Sequence, residues 1–309
     1  MFRKLNNQTL LVIFILLLII VVAIVFFNTG SKERTFRDVL VDIDTSAVTE
    51  IHIISKANDF KPVRLFKQDD KWLVELPNGK NASVTNQKIE QTFKELTSIV
   101  PLRLAARGQD KWNEFQVDSS GTRVQVMEGG NTTLDIIIGR FNYQQQPRSI
   151  STYVRLANDN DVYEVNGFLS LTFNQKADAF RDGTIIKADP KTWKQLVFSY
   201  PSDSSFTLTK NNNKWFIDQI PTDSAKTASV LRTLANFTRN NFLDTVEIAK
   251  GRVPDYKLSI SNANLEFTEV DAYVNPSNTV IISSQNPDTK FDGKTFFTNI
   301  FVSKKSFFK

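Results

Sequence analysis

The distribution of hydrophobic and polar positions begins with a continuous apolar run near the N-terminus. Leu10 to Phe27 contains 18 residues without a charge, a glycine or a proline. At 1.5 Å per residue such a run forms a helix of about 27 Å, close to the roughly 30 Å hydrocarbon core of a bilayer. The pattern predicts a transmembrane helix over residues 10–28. Its membrane-anchoring positions are represented by Leu10, Phe14, Leu18, Val22 and Phe27.

A cleavable secretory signal is the alternative interpretation of this run. Its apolar region normally has about 7 to 15 residues and ends at small residues. The run ends in Phe26-Phe27-Asn28-Thr29-Gly30, which offers no such site. We therefore expect an uncleaved single-pass anchor, which in a double-membrane bacterium lies in the inner membrane. Basic residues flank the run on both sides, so the short tail favours a cytoplasmic N-terminus and a periplasmic C-terminal domain.

Two later segments share a strict alternation of apolar and polar residues, and they repeat one another. Residues 63–75 align without a gap to residues 206–218, which places Trp72 and Trp215 at matching positions 143 residues apart. Each segment has the pattern of a β-hairpin, with Asp or Asn in the turn. The tryptophans are expected to anchor the core of each repeat.

Helical spacing follows each predicted hairpin. Ile89, Phe93 and Leu96 in the first repeat have the i, i+4, i+7 spacing of one helix face, as have Val230, Leu234 and Phe237 in the second. Ser83 or Thr85 is the expected N-cap of the first helix, and Asp223 or Ser224 that of the second. Further β-rich segments follow both helices. Those segments are 122–127, 134–138, 152–156 and 162–165, then 256–260, 270–274 and 279–283.

These patterns predict an α+β protein with two tandem, duplicated lobes. Each lobe is expected to have an antiparallel sheet and one main amphipathic helix. A repeat of this length exceeds the roughly 20 to 50 residues of solenoid and propeller units, so duplication of a whole domain explains it better. The predicted organisation is a cytoplasmic tail over 1–9, the transmembrane helix over 10–28, a linker over 29–44, and lobes over 45–187 and 188–309.

Composition argues against most kinds of reactive site. The chain has no cysteine and one histidine, His52, so the usual zinc, iron and nucleophile-histidine arrangements are not expected. The net charge of +5 is spread along the sequence, and no nucleic-acid partner is predicted. No phosphate-binding glycine-rich loop occurs, and no cofactor is expected. A calcium site at 158–161 is the alternative to a solvated turn, but the spacing does not continue into an EF-hand loop.

Charged residues inside the β-rich part of the first lobe are the candidates for a site. Arg155 with Glu164, and Arg181 with Asp182, could form salt bridges or a packing contact, and the carboxylates alternatively could serve acid–base chemistry. We interpret Tyr153, Arg155, Arg181 and Asp182 as a partner-binding or packing site of this lobe. No catalytic residue and no metal ligand is predicted.

The assembled motifs resemble a bacterial family catalogued as domain of unknown function 4340. The resemblance is carried by the Lys-Trp hairpin and its helix, by Ile138-Gly139-Arg140, by Tyr153-Val154-Arg155, by Val162-Tyr163-Glu164-Val165 and by Phe180-Arg181-Asp182. It implies a membrane-anchored protein encoded beside an ABC transporter of the gliding-motility auxiliary type. No catalytic residues come with the family. The second repeat lacks the Tyr-Val-Arg and Phe-Arg-Asp motifs, so a function in them would belong to the first lobe.

Three functional hypotheses follow from these observations. The leading one is a non-enzymatic accessory or scaffold subunit of a membrane complex, whose lobes bind protein partners or substrate. Its expected partners are a transporter permease and a separate ATPase. The second is a cell-envelope enzyme acting on glycan or peptide with carboxylates such as Glu164 and Asp182. The third is a wall-binding module with structural duties alone.

Overall fold

The computed structural model describes residues 17–18, 37–146, 148–264 and 266–309. Most of the predicted transmembrane helix, including Leu10, Phe14, Val22 and Phe27, lies outside the described residues. Leu17 and Leu18 are described and are helical. Within the described ranges, no helix is both long enough and apolar enough to cross a membrane.

The described chain consists mostly of strands, with a few helices between them. The strands are β1 Val48–Ile54, β2 Pro62–Gln68, β3 Lys71–Glu75, β4 Asn81–Ser83, β5 Pro101–Ala106, β6 Thr122–Glu128, β7 Asn131–Gln145, β8 Arg148–Leu156, β9 Val162–Asn166, β10 Thr184–Lys187, β11 Trp193–Ser199, β12 Phe206–Asn211, β13 Lys214–Ile217, β14 Ile220–Pro221, β15 Asn236–Thr238, β16 Tyr256–Asn262, β17 Phe267–Val274, β18 Thr279–Ser283 and β19 Asn286–Asp292. The helices are α1 Asn86–Thr97, α2 Trp112–Phe115, α3 Ser170–Phe173, α4 Ser224–Ala235 and α5 Phe297–Ile300.

The antiparallel α+β class predicted from the sequence is confirmed. Strands that follow one another along the chain pair through hairpins, as β2 with β3 and β12 with β13. Longer connections also produce antiparallel pairs, as between β11 and β16. The predicted β-rich segments all lie within strands, and several strands extend beyond the predicted ends.

The chain divides into two compact units. Unit 1 contains the described residues up to Val48 together with Lys94–Phe173, and unit 2 contains Thr49–Phe93 and Asn174–Lys309. The predicted lobes are defined by sequence correspondence rather than by compactness, so their bounds of 45–187 and 188–309 stay a prediction.

The two hairpins of the repeat have the same register. In the first, Leu65 lies opposite Val74 and Lys67 opposite Trp72. In the second, Leu208 lies opposite Ile217 and Lys210 opposite Trp215, so each pair is the counterpart of one in the first hairpin. Both turn residues have positive φ in each hairpin, 48° and 61° at Asp69 and Asp70 and 46° and 64° at Asn212 and Asn213. Such two-residue turns match the natural twist of the flanking strands.

The strand order also corresponds between the repeats. In unit 2, β4-β3-β2-β1 lie side by side in the first repeat, and β14-β13-β12-β11 do so in the second. Beyond the helix, unit 1 has the order β6-β7-β8-β9, and unit 2 has β16-β17-β18-β19. The repeats differ at the strand that follows the helix. β5 pairs with β9, whereas β15 pairs with β10.

Both predicted helices are present. The Asp223 side chain accepts a bond from the Lys226 N–H and caps α4, while the Thr85 hydroxyl accepts one from the Lys88 N–H at the start of α1. The prediction that Phe237 continues the helical face was wrong, because α4 ends at Ala235 and Phe237 lies on β15. Its burial at 2% exposure is therefore that of a strand residue.

Alternating residues of the strands form the core of each unit. Ile51, Ile53 and Leu65 are fully buried, as expected for one face of a two-sided sheet. In unit 2, side chains of α4 and α5 join one buried cluster with Trp193, Phe198 and Phe291. A smaller cluster in unit 1 contains Phe115, Val117, Ile137, Tyr153 and Val162.

Candidate binding sites

The four residues predicted to form one site belong to two compact units. Tyr153 and Arg155 lie on β8 in unit 1, and Arg181 and Asp182 lie in unit 2 just before β10. That the four act together stays a prediction.

Arg155 fixes the turn between β8 and β9. Its side chain is buried, and it donates to the carbonyls of Val117, Leu156, Ala157 and Asp159 at 3.0 to 3.2 Å. Its guanidinium stacks over the Trp112 ring, 3.6 Å from the centroid. Burial lowers the pKa of Arg155 from its ordinary value, and nearby carboxylates partly oppose this. The guanidinium thus holds a loop in place and presents little surface to a ligand.

The turn held by Arg155 is the one considered as a calcium loop. The Asp159 carboxylate accepts a hydrogen bond from the Asp161 N–H and forms an ion pair with Arg37 at 3.3 Å. The Asn160 carbonyl accepts from the Trp112 indole. Among the residues that the structure describes, no group of three acidic or histidine side chains is arranged to hold a metal ion. These oxygens are thus engaged by the turn itself, by Arg37 and by Trp112.

Tyr153 belongs to the smaller hydrophobic cluster of unit 1, where its ring packs against another aromatic ring. Its ring centroid lies 4.6 Å from that of Phe115, and the Arg140 guanidinium lies 4.8 Å from the Tyr153 ring. Gly139 permits this approach, because a Cβ there would lie 2.2 Å from the Phe115 carbonyl oxygen. The Ile138-Gly139-Arg140 motif thus has two roles. Gly139 allows the close approach to the backbone of Phe115, and Arg140 places its cation over the rings of Phe115 and Tyr153.

Glu164 is a buried carboxylate in unit 1 with three partners. Its Oε1 accepts bonds from the Ser151 hydroxyl and, at 3.4 Å, from the Asn142 amide, and Arg103 Nη2 lies 2.5 Å from Oε2. Burial acts to raise the pKa of Glu164, but the bonds from Ser151, Asn142 and Arg103 together hold it below its ordinary value. Both oxygens of this carboxylate thus face hydrogen-bond donors or a cation of the chain.

Arg181 is the most buried charged residue in unit 2, at 2% exposure. Its Nη1 and Nη2 form a bidentate pair with Asp244, both at 2.8 Å, and Nη1 also contacts Asp178 at 3.1 Å. The guanidinium lies over the Phe242 ring, 3.8 Å from the centroid. Its Nε is buried and has no hydrogen-bond partner among the described residues. The edge of the guanidinium formed by Nη1 and Nη2 is therefore paired with Asp244, whereas the edge that includes Nε is not fully hydrogen-bonded.

The backbone around Arg181 is held by residues distant in sequence. The Nζ of Lys88, a partly buried residue, donates to the carbonyls of Ala179 and Arg181. The Asp182 N–H donates to the Ser83 carbonyl at 2.6 Å, and the Asn286 amide donates to the Asp182 carbonyl at 2.8 Å. Burial lowers the pKa of Lys88, which the charge of Asp182 partly offsets. The Asp182 carboxylate accepts a hydrogen bond from the N–H of Thr184, the first residue of β10.

A cleft of about 210 Å³ in unit 2 adjoins this segment. One side is formed by β3, β4 and their connection, and the other by residues 243–244 and the strand β19. Its polar lining consists of Lys80, Asn81, Ser83, Arg181, Asp244, Asn286, Asp288, Thr289 and Lys290. A second, shallower depression of about 420 Å³ lies in unit 1, between residues 37–42 and the ends of β7 and β8.

Sequence reasoning missed the partners that make up these sites. Asp244 and Asn286 lie in segments with no motif, and Lys88 lies on the first predicted helix. Each is separated from its Arg181 or Asp182 contact by 63 to 104 positions. A single sequence offers no signal that would pair them. The Phe-Arg-Asp motif was identified, but its role follows only from the residues brought to it.

The tryptophans of the repeat occupy comparable places. Trp72 is buried and meets the Phe93 ring edge-on at 5.8 Å. Trp215 is partly buried and packs against the large core of unit 2. Their role as core anchors stays a prediction, to which these placements lend support.

The fold and these sites define the class of the protein: an antiparallel α+β protein with two corresponding hairpins, in which buried charged side chains hold loops in place. The chain belongs to the family described as Domain of unknown function (DUF4340), whose model matches residues 72–259. The resemblance inferred from the motifs is thus confirmed. Comparisons with curated proteins and with solved structures gave no match.

Proposed function

We propose that this protein is a non-enzymatic accessory or scaffold subunit of a bacterial membrane complex. The complex is an ABC transporter of the gliding-motility auxiliary type, and the residues beyond the anchor bind protein partners or substrate in the periplasm. The proposal rests chiefly on one observation. The carboxylates that could have carried acid–base chemistry, Glu164 and Asp182, each accept hydrogen bonds from other groups of the chain.

The alternative of a cell-envelope enzyme requires a carboxylate free to exchange a proton with substrate. Glu164 already accepts from Ser151, Asn142 and Arg103. One Asp182 oxygen accepts from the backbone of Thr184. A general acid needs a pKa near the working pH, whereas the pKa of Glu164 lies below its ordinary value. These features favour a structural role for both residues.

Membrane attachment is supported by the sequence alone. The apolar run from Leu10 to Phe27 is long enough for a bilayer and lacks a cleavage site. The proposed arrangement is a single span in the inner membrane, with the N-terminus in the cytoplasm. Protease added outside spheroplasts should remove the folded part in this arrangement, and protection from that protease would contradict it.

A duplicated pair of α+β lobes suits a binding role. The matched registers at Trp72 and Trp215 and the repeated strand orders support duplication of a whole domain. The differing partners of β5 and β15 give the two copies different surfaces. Such a pair offers two related but distinct surfaces to a partner.

Co-purification tests the proposal. The tagged full-length protein is extracted in mild detergent, and its companions are identified by mass spectrometry. Recovery of a permease and an ATPase supports an accessory subunit. Recovery of the protein alone, with hydrolysis of envelope glycan or peptide by the purified protein, would favour the enzyme instead.

A further inference from the structure

We propose that the polar cleft of unit 2 binds a carboxylate group, with Arg181, Lys80 and Lys290 as its cationic partners. The inference deepens the proposed function, on which it rests, because it assigns a ligand class and a position to the binding role. All the residues involved belong to unit 2.

The unused donors of Arg181 are the first observation. A guanidinium has five N–H groups in a rigid plane. Asp244 takes one from each of Nη1 and Nη2, and Asp178 takes the other from Nη1. The remaining donors are Nε–H and the second N–H of Nη2, which lie along one edge and point the same way. This is the fork that binds the two oxygens of a carboxylate.

The position of this side chain is the second observation. Arg181 is 2% exposed, its Nε has no partner among the described residues, and it lines the cleft. A buried donor without a partner costs stability, about 1–3 kcal/mol as a general magnitude, and such groups call for an explanation. The Nε atom is closed off from solvent, so an oxygen ligand that enters the cleft satisfies it only when a lining side chain moves aside.

The charge of the cleft favours an anion. Its lining contains three cations, Arg181, Lys80 and Lys290, and two carboxylates, Asp244 and Asp288. Asp244 is already paired with Arg181. Lys80 is exposed, and Lys290 is oriented by a 2.7 Å bond to the Val246 carbonyl. Two ammonium groups are thus placed at the cleft against one unpaired carboxylate among its lining residues.

Strand β4 adds backbone groups that suit an extended ligand. It is the outermost strand beside β3. The Lys80 carbonyl and the Val84 N–H bond towards β3, so the peptide groups of Asn81 and Ser83 face the other way. The Ser83 carbonyl already accepts a hydrogen bond from the Asp182 N–H. The N–H groups of Asn81 and Ser83 and the Asn81 carbonyl can therefore pair with a short peptide strand.

The size of the cleft restricts the ligand. Its volume of about 210 Å³ lies below the roughly 300–1,000 Å³ of pockets for drug-sized molecules. It accommodates the end of a peptide or a small carboxylic acid. Both sources present the same carboxylate to Arg181, and they differ in whether a preceding chain contacts β4.

Calorimetric titration of the detergent-solubilised full-length protein tests the site. The probes are N-acetyl-trialanine with a free carboxylate, its C-terminal amide, acetate and succinate. We expect the free-acid peptide to bind about tenfold or more tighter than the amide, since the amide lacks the charge. A small acid that binds as tightly as the peptide would identify a free acid as the source. Tighter peptide binding would identify a chain end.

Variants assign the binding to this cleft. Lys80→Gln and Lys290→Gln should each weaken the free-acid peptide several-fold, whereas Lys71→Gln, at an exposed hairpin position, should leave its affinity unchanged. Arg181→Lys keeps the positive charge but removes the fork of the guanidinium. If the Arg181→Lys variant fails to fold, Lys80→Gln still tests the proposal. Equal affinity for acid and amide, no binding of any acid, or indifference to both lysine variants would overturn the proposal. Transporter co-purification together with any of these results would retain the proposed function and remove only this site.

Discussion

Arg181 and Asp244 lie 63 positions apart and form a bidentate ion pair, with both N–O distances at 2.8 Å. Arg181 is 2% exposed, and the Asp244 side chain is 32% exposed. The pair connects the segment before β10 to the loop that precedes β16. Because one partner is buried, removal of the other leaves a charge without compensation.

The first prediction concerns this pair. Arg181→Met should destabilise the protein by about 3 kcal/mol, because it removes the partner of Asp244 and the cation over Phe242. Asp244→Asn should also destabilise it, and the double variant should lose less than the sum of the two. Denaturant unfolding of all three variants measures the coupling. Strict additivity would show that the pair contributes no interaction energy.

The second prediction concerns pH. The pKa of Glu164 lies below its ordinary value, so the folded state binds its proton less readily than the unfolded state. The stability from Glu164 is therefore present above the unfolded pKa of about 4.3 and is lost as pH falls through the folded pKa. Glu164→Gln should be less stable than the wild type at neutral pH, and the gap should shrink in acid.

Thermal melting at several pH values tests this behaviour. Glu90→Gln, at an exposed position on α1, serves as the matched control and should follow the wild type throughout. A gap between wild type and Glu164→Gln that stays constant down to about pH 3 would contradict the assignment of this titration to Glu164.

The third prediction uses the equivalent tryptophans. Trp72→Ala should cost about 3–5 kcal/mol, because the side chain is buried and loses its contact with Phe93. Trp215→Ala should cost less, since Trp215 is only partly buried. Chemical denaturation of the two variants compares them directly. A larger loss at Trp215 would mean that the second repeat depends on its tryptophan more than burial indicates.

The fourth prediction concerns the hairpin turns. Asp70 and Asn213 have φ values of 61° and 64°, a region that glycine adopts without the steric cost of a Cβ. Asp70→Gly and Asn213→Gly should preserve or raise stability, whereas alanine at either position should lower it by about 1 kcal/mol. Melting temperatures of the four variants test this order. Alanine variants as stable as the glycine variants would contradict the turn assignment.

Local patterns were sufficient to predict the hairpins. Alternating residues such as Val63 and Leu65, a two-residue Asp turn and a following Trp specify strand, turn and register within thirteen positions. The same holds for the second copy. The helices were predicted because their apolar spacing and the caps at Thr85 and Asp223 are also local.

Elements that depend on distant partners were missed. Strand β19 contains Pro287 and polar residues, and its burial at Asn286 and Thr289 arises from neighbours elsewhere in unit 2. Strands β4 and β14 have three and two residues, too few for a period to be recognised. Phe237 was assigned to the wrong element because it follows Leu234 by three positions, which is the spacing of a helix face. The helix ends at Ala235, and Phe237 lies on the strand that follows it.

The candidate site followed the same division. Arg155 and Arg181 were singled out as charged residues inside the β-rich part of the first lobe, and both are buried. Their partners are mostly backbone carbonyls for Arg155 and a distant carboxylate for Arg181. Neither kind of partner leaves a pattern in one sequence. The cleft beside Arg181 likewise depends on segments that only the fold brings together.

Quantitative mass spectrometry of the complex purified in mild detergent tests the central claim most directly. The full-length protein is compared with a variant in which the apolar run 10–27 is replaced by an unrelated membrane span, so that the folded part stays membrane-bound. The account predicts that a transporter permease and an ATPase are recovered in defined ratio with the full-length protein. Recovery of neither subunit under conditions that keep the protein folded would contradict it.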